Sequence, residues 1–538
     1  MTLDGLLAFL ALVVAVFALM PIERRWMITL RGPAVWCVSA ITLLATVYLE
    51  LFSALAVPCP SGAGPACQWL VLAKPGAESF GHPSAPQAAF ILAAAWLMHA
   101  GAIAWRQKVG ARALPRLADT VAEKLAEGRH EAVIQLVEPN LEMLDRSAGK
   151  RSLRARSREW LRRLDPFQRD VMIERIKSGA VRPGPGRLRM LASKARRFIP
   201  DPVRTEEAAH DVLRAVFTSP LVPSYLAVAR PKAGVRMLAV TSSRYVFDFS
   251  RALFERMLAN PLSHLYRELP LNENVSAREG YWLPAHNVYL HFLFADARNA
   301  ERLGVCDDLS LAAREHLRDA AYVASLNKTA RGFSDEGKWR DPTFATLRMF
   351  DIQARAMAFQ EIESHASAFE LTHLLDAILA GYVAGADGVD PHDEWPARAD
   401  YLIYRLFDAL TEWAELPQHL DAGSLHGKLE GVAPNNQNDS IPKSAMLALG
   451  SCLRTLVMSE IVPERQRDYV FEVVLRSVAD YPEAEALAPF RQAYINALID
   501  GGWAQGQQRV DYHQALEVMF HAQDHVLQER AADFGAAL

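Results

Sequence analysis

The chain has 538 residues, a formal net charge of −4, a hydrophobic share of 51% and only five cysteines. So few cysteines exclude a disulfide-stapled scaffold, and the near-neutral balance excludes a protein that is basic throughout. Apolar and basic residues are unevenly distributed, however, so the chain divides into regions of different character.

Three apolar stretches occupy most of the N-terminal region. They cover about residues 5–22, 33–57 and 87–105, and each approaches the ~20 residues that a helix needs to cross a bilayer. The first stretch lacks the basic start and the small-residue cleavage site of a signal peptide. The sequence therefore predicts an uncleaved membrane anchor over residues 1–110, with three transmembrane helices and a connecting loop at 58–86.

Basic residues set the predicted orientation of this anchor. The loop after the first stretch carries Arg24 and Arg25, the segment after the third carries Arg106 and Lys108, and loop 58–86 has a single lysine. Because cytoplasmic loops are enriched in Lys and Arg, we expect the N-terminus outside and the main domain in the cytoplasm. The Ala- and Arg-rich composition favours a bacterial source, so the predicted location is the inner (cytoplasmic) membrane, crossed several times.

Two of the cysteines lie in the loop that is predicted to face outside. Cys59 and Cys67 flank a turn rich in Pro and Gly. Disulfides form and persist in oxidising compartments. We therefore expect a disulfide between Cys59 and Cys67, with two free thiols as the alternative.

The second apolar stretch carries a polar stripe. Its members recur every three or four residues, which places them on one face of a helix: Ser39, Thr42, Thr46 and Glu50. Hydroxyl and small side chains allow close helix contacts in lipid, so the stripe is expected to face another helix or another copy of the chain. For Glu50, near the predicted outer end, a structural or interfacial role is favoured over an ion-linked one.

Residues 111–200 are predicted to form a juxtamembrane helical segment. An apolar pattern interrupted at Gly128 predicts a helix–turn–helix pair, without the second copy at a ~34-residue period that a repeat array needs. Residues 150–197 hold sixteen Lys and Arg against four acidic residues. This basic block includes Lys150, Arg151, Arg154, Arg156, Arg158, Arg162, Arg163, Arg187, Arg189, Lys194, Arg196 and Arg197.

Three interpretations of the basic block remain open. Contact with anionic lipid is favoured, because each Lys or Arg near such a surface contributes about 1 kcal/mol. A solvated face that pairs with the acidic remainder of the chain is the second interpretation. Nucleic-acid binding is the third, and it lacks a recognisable fold motif.

Residues 201–538 are predicted to form a large helical domain, with an internal boundary near 431–442. The predicted class is all-α, because helical apolar patterns dominate this region. The segment from Tyr225 to Val240 is the one stretch that resembles a β-hairpin, with two short apolar runs around a Pro-Lys-Ala-Gly turn.

Two Glu-x-x-His pairs are candidate metal ligands. They are Glu207 with His210 and Glu370 with His373. Ferritin-like di-metal sites use two such pairs on helices. Ordinary core or surface histidines are the favoured interpretation, and no cofactor is predicted.

Residues 332–338 read GFSDEGK, which matches the first seven positions of a phosphate-binding loop. The eighth position is Trp339, where Ser or Thr would bind magnesium. Asp335 and Glu336 would also repel a phosphate. The sequence therefore argues against nucleotide binding here.

Three functional hypotheses follow. The favoured one is a membrane-tethered interaction or regulatory protein, which would bind anionic lipid and a protein partner or further copies of itself. The alternatives are a membrane-bound enzyme with a helical, metal-dependent active site, and a membrane effector of a bacterial defence or stress system. Because no catalytic motif survives its context, the sequence favours a non-enzymatic role.

Overall fold

The computed structural model describes residues 33–51, 85–105, 108–149, 202–272, 280–428, 440–503 and 509–538, without residues 365 and 387, together with a few isolated residues before 33. Every regular element within these ranges is a helix, and one isolated antiparallel bridge pairs Thr329 with Ala397. The predicted all-α class is confirmed.

The chain separates into two compact units. Unit 1 comprises residues 1–222 and 240–245, and unit 2 comprises residues 223–239 and 246–538. The internal boundary predicted near 431–442 falls largely outside the described residues.

The first six described helices belong to unit 1. They are α1 (Pro33–Leu51), α2 (Ala85–Trp105), α3 (Leu114–Ala126), α4 (His130–Val137), α5 (Leu141–Gly149) and α6 (Pro202–Phe217).

Helices α1 and α2 pack against each other. The indole Nε1 of Trp96 on α2 donates a hydrogen bond of 3.0 Å to the hydroxyl of Ser39 on α1. The hydroxyls of Thr42 and Thr46 donate to carbonyls one turn earlier, both at 2.8 Å. Three members of the predicted polar stripe are thereby placed, whereas the side chain of Glu50 lies outside the described residues.

Much of the predicted anchor cannot be compared with the structure. The stretch 5–22 and the end of the stretch 33–57 lie largely outside the described residues. Within the ranges that are described, no helix combines the length and the apolar character needed to cross a membrane.

Helices α3 and α4 form the predicted helix–turn–helix pair. Gly128 links them with a φ of +71°, a conformation that glycine adopts without the cost it has for other residues. Helix α3 buries Leu114, Leu117 and Val121. Both α3 and α5 contact α6. The carboxylate of Asp145 on α5 accepts hydrogen bonds from the backbone amides of residues 241 and 242, at 3.0 and 2.8 Å.

The β-hairpin suggested for Tyr225 to Val240 is wrong. This segment contains the end of α7 (Leu221–Val228) and all of α8 (Pro231–Leu238). Arg230 turns the chain with a φ of 53°, and Pro231 starts α8 at the position where a missing amide proton costs nothing. The two short apolar runs are therefore faces of two short helices.

The remaining helices follow from residue 245 onward. They are α9 (Tyr245–Ala259), α10 (His264–Glu268), α11 (Val288–Phe294), α12 (Arg298–Leu303), α13 (Val305–His316), α14 (Ala320–Leu326), α15 (Pro342–Phe359), α16 (Ala366–Ala380), α17 (Arg398–Ala414), α18 (Ile441–Val457), α19 (Glu464–Asp480), α20 (Ala488–Asp500), α21 (Arg509–Ala522), α22 (His525–Arg530) and α23 (Ala532–Ala537).

Helix α15 is the centre of unit 2. Nearly all of its residues are buried, and it contacts α11, α13, α16 and α17. The side chain of Asp341 caps its start by accepting the amide proton of Phe344 at 2.8 Å. Because α15 is covered on all sides, its polar side chains must find partners inside the protein.

Helices α18 and α20 approach so closely that two glycines are required. A Cβ atom at Gly450 would lie 2.0 Å from the carbonyl oxygen of Ala497, and one at Gly502 would lie 1.9 Å from that of Leu447. Both contacts involve backbone atoms, which have little freedom to move away. The packed helices α18 and α20 position their neighbours, because α18 also contacts α17 and α21.

A candidate binding furrow along helix α19

Helix α19 begins after Pro463 and has two distinct faces. Its inner face buries Val470, Phe471, Val474, Leu475 and Val478. Its outer strip repeats a charged residue every four positions: Glu464, Asp468, Glu472, Arg476 and Asp480. Residues four apart lie on one side of a helix, so this spacing produces a continuous charged ridge.

A furrow runs beside this ridge, between α19 and the helices α21 and α22. One part has a volume of about 810 Å³ and lies between the charged strip of α19 and residues 522–530. A second part, of about 340 Å³, lies between the start of α19 and α21. Both parts are lined by Glu464 and Asp468, so we treat them as one feature, the α19 furrow.

The lining of the α19 furrow holds six carboxylates and four guanidinium groups. Arg476 pairs with Glu472, and Arg530 pairs with Asp480. Four further carboxylates line the furrow without an ion pair to any described residue: Glu464, Asp468, Asp511 and Asp524. Arg465 and Arg467 also line the furrow, where their guanidinium groups donate to backbone carbonyls. The lining therefore carries a net charge of −2.

The positions of these carboxylates explain how the fold tolerates them. Glu464 and Asp511 lie in the first turns of α19 and α21, and Asp524 precedes α22. The positive end of a helix dipole stabilises an acidic side chain there. Asp468 lies one turn further along, and burial together with the charge of Glu464 raises the pKa of its carboxyl.

Apolar side chains accompany the carboxylates. Val518 lines the smaller part of the furrow with 65% of its surface exposed, and Val526 lines the larger part with 59% exposed. Each valine is exposed singly beside the concave, charged surface. The furrow thus offers both apolar area and negative charge.

Contacts of two residues that also line the furrow, Arg465 and Tyr469, fix α19 in place. The guanidinium of Arg465 donates to the carbonyl oxygens of His392 at 2.9 Å and Asp393 at 3.3 Å. The hydroxyl of Tyr469 donates to the carboxylate of Glu394 at 2.7 Å. The furrow wall is therefore held by the loop that precedes α17.

A second charged group lies in the core, on α15. The carboxylate of Asp351 accepts hydrogen bonds from Arg348 at 3.0 Å, from Arg355 at 2.9 Å and from the indole of Trp413 at 2.9 Å. The hydroxyl of Tyr281 also donates to Asp351, and Arg355 reaches Glu412 on α17. We call these residues the Asp351 cluster.

The Asp351 cluster is balanced internally. Burial alone would raise the pKa of Asp351, but the guanidinium groups of Arg355 and Arg348 outweigh it and lower the pKa to about 2. Asp351 is therefore ionised at neutral pH and joins α15 to α17. Nothing in these contacts requires a ligand.

The two predicted Glu–His pairs belong to different units. Glu207 and His210 are exposed on α6 of unit 1. Glu370 lies in unit 2, where it accepts hydrogen bonds from Ser310 and from Arg314, the latter at 3.3 Å. The ring of His373 packs edge-on against Phe369, with 4.7 Å between centroids. In the part of the chain that is described, no three His, Cys, Asp or Glu side chains converge as a metal site requires.

Two other predicted features cannot be placed. Cys59 and Cys67 lie outside the described residues, and so does the basic block at 150–197. The expected disulfide and the expected lipid contact therefore stay predictions.

The GFSDEGK segment folds back on itself. The amides of Gly337 and Lys338 donate to the carbonyls of Gly332 and Phe333, at 3.1 and 2.8 Å, instead of pointing outward. The ammonium of Lys338 lies 5.5 Å from the ring centroid of Trp339 and 5.9 Å from those of Phe344 and Tyr401. These cation–π contacts give Lys338 a role in packing the segment.

The residues of the α19 furrow were missed by the sequence reasoning. The four-residue charge spacing from 464 to 480 was visible, but such a spacing is ordinary for a solvated helix face. No motif links it to Asp511 or Asp524, which come from later helices. Comparison with known proteins adds no assignment, because no protein-family model, curated protein or solved structure matches this chain.

Proposed function

We propose that this chain is a membrane-tethered interaction protein whose unit 2 binds a protein partner through the α19 furrow. The observation that carries the proposal is the furrow itself, a concave surface with two exposed valines, six carboxylates and four guanidinium groups, in which four of the carboxylates form no ion pair with a described residue. Surfaces of this kind combine apolar contact area with charges that select a partner.

The tether is proposed on the N-terminal region. The sequence there is strongly apolar, and α1 and α2 expose large hydrophobic side chains, including Ile41 at 66%, Leu44 at 68% and Met98 at 72%. Side chains of this type gain free energy when they leave water for lipid. Inner-membrane location, cytoplasmic exposure of unit 2 and lipid contact by the basic block belong to the same proposal.

Site-specific cross-linking tests the binding surface. A photo-reactive amino acid placed at Val518 of the full-length chain, in its native membranes, should cross-link a discrete partner. The same group placed at Glu255, an exposed position on α9, should not. The charge-reversed pair Glu464→Lys and Asp468→Lys should abolish the Val518 product, and an unchanged product would refute the furrow as the binding surface.

Alkaline extraction tests the tether independently. Membranes that contain the full-length chain are washed with sodium carbonate at high pH, which strips peripheral proteins. The chain should stay in the membrane pellet. Release into the wash would refute an integral anchor without affecting the binding proposal.

A further inference from the structure

The imidazole of His426 is buried in unit 2, where it joins two segments that are far apart in sequence. Its exposed fraction is 0%. The Nδ1 atom accepts a hydrogen bond of 3.1 Å from the backbone amide of Ile441, and the Nε2 atom lies 3.2 Å from the carbonyl oxygen of Ile362. The ring therefore connects the segment that follows α15 to the start of α18.

These two backbone partners determine the protonation state of the ring. A backbone amide can only donate, so Nδ1 must present its lone pair to Ile441. A carbonyl oxygen can only accept, so Nε2 must carry the proton that it donates to Ile362. The native contacts thus require the neutral imidazole, because a second proton, on Nδ1, would point at the amide proton of Ile441.

The hydrogen bond to Ile441 acts as a helix cap. Ile441 is the first residue of α18, where backbone amides have no acceptor within the helix. Ser440 occupies the N-cap position, but its side chain forms no cap hydrogen bond with a described residue. The ring of His426 therefore satisfies the first amide of a helix that also contacts α16, α17, α20 and α21.

A tight turn holds His426 in this position. The amide of Gly427 donates to the carbonyl oxygen of Ser424 at 3.3 Å, and the hydroxyl of Ser424 donates to the carbonyl oxygen of Asp421 at 2.7 Å. A Cβ atom at Gly427 would lie 2.1 Å from that oxygen of Asp421, so only glycine fits directly after His426. The turn therefore fixes the backbone that carries the ring.

Burial and charge act on the ring in opposite directions. Burial lowers the pKa of His426 below its ordinary value of 6.5, and it outweighs the carbonyl of Ile362 and the charge of Glu361, which raise the pKa. Lys443, in the first turn of α18, adds a positive charge and so acts in the same direction as burial. The other charged residues of the surrounding segments are Glu363, Asp421 and Lys428.

We infer that His426 is a pH-sensitive latch of unit 2, which holds the start of α18 while its imidazole is neutral and releases it when the imidazole is protonated. On protonation Nδ1 loses its lone pair, so the amide of Ile441 loses its acceptor. The stability that the latch contributes is complete above about pH 6.5 and is lost as the pH falls below that value. This inference does not depend on the α19 furrow.

Histidine hydrogen–deuterium exchange tests the ring directly. The C2 proton of an imidazole exchanges at a rate that follows the protonation of the ring, and mass spectrometry reads that rate for each histidine of the full-length protein in detergent. His426 should titrate below 6.5 and exchange about tenfold or more slowly than the exposed His286. A pKa of His426 at or above 6.5 would overturn the inference.

Backbone amide exchange tests the release of α18. From about pH 7.5 to about pH 5, after correction for the intrinsic exchange rate, protection of the Ile441 amide should fall about tenfold or more, because each pH unit below 6.5 favours the protonated, released form about tenfold. Amides in the middle of α19 report general loosening and should stay within about twofold. Constant protection of Ile441, or a loss shared equally by α19, would overturn the inference.

Matched variants assign the response to the ring. In His426→Asn the side-chain oxygen can accept from Ile441 but does not titrate, so protection of that amide should no longer respond to pH. His286→Asn removes an exposed histidine and should keep the wild-type response. An equal pH response in His426→Asn and wild type would assign the release to another group and overturn the inference. If His426→Asn does not fold, the two measurements on wild type decide alone.

Discussion

The Asp351 cluster and the α19 furrow use the same residue types in opposite ways. In the core, Asp351 receives two guanidinium groups, an indole and a phenol, so its charge is neutralised within the fold. At the surface, Glu464 and Asp468 face solvent without an ion pair among the described residues. Perturbed charged groups are candidates for function, and the two sets differ in how far their charge is paired within the fold.

The largest expected effect comes from removing the central charge of the cluster. The Asp351→Ala variant leaves Arg348 and Arg355 buried with less compensation, and breaking such a buried arrangement costs about 3–5 kcal/mol. Urea denaturation followed by circular dichroism measures this loss. Glu255→Ala, at an exposed position on α9, is the control and should stay within about 0.5 kcal/mol of wild type.

A loss below about 1 kcal/mol in Asp351→Ala would contradict the structural role of the cluster. It would mean that the two arginines find other partners or water once the carboxylate is gone. The contrast between a satisfied core and an unsatisfied surface would then disappear.

A smaller effect, dependent on pH, is expected at the edge of the cluster. Burial and the charge of Asp351 raise the pKa of Glu412 to about 7, from an ordinary value of 4.5. Between these values the folded protein holds a proton that the unfolded chain releases. The stability contributed by Glu412 is therefore present below about pH 4.5 and is lost as the pH rises through about 7.

The Glu412→Gln variant does not titrate in this range. Its stability relative to wild type should therefore improve from pH 5 to pH 8, as measured by denaturation at both values. Because Glu412 keeps 44% of its side-chain surface exposed, solvent screening reduces the size of the change. A constant difference between the two proteins would show that Glu412 titrates normally.

The smallest effect on stability is expected in the furrow. In wild type Asp468 and Glu464 form a like-charged pair one turn apart, whereas Asp468→Lys creates an opposite pair. The variant should equal wild type or exceed it by up to about 0.5 kcal/mol in the free energy of unfolding. Thermal denaturation of the detergent-solubilised protein measures it, and a clear loss of stability would place Asp468 among the structural residues.

Local patterns predicted the parts of the fold that depend on nearby residues. The stripe Leu114, Leu117 and Val121 and the break at Gly128 were sufficient for the α3–α4 pair. The hairpin at 225–240 was wrong because short apolar runs fit two short helices as well as two strands. In that segment the left-handed turn at Arg230 separates the two helices.

The sites could not be predicted in this way, because their members are far apart in sequence. Tyr281 and Trp413 reach Asp351 from 70 and 62 residues away. The furrow combines Glu464 and Asp468 with carboxylates of two later helices. The spacing of charges along α19 was visible in the sequence, but the concave surface beside it exists only after the helices have packed.

The contact between α18 and α20 also determines how these helices respond to load. Since only hydrogen atoms fit at Gly450 and Gly502, sliding either helix by one residue would drive a side chain into the other backbone. The close backbone contacts therefore prevent the two helices from sliding along their axes.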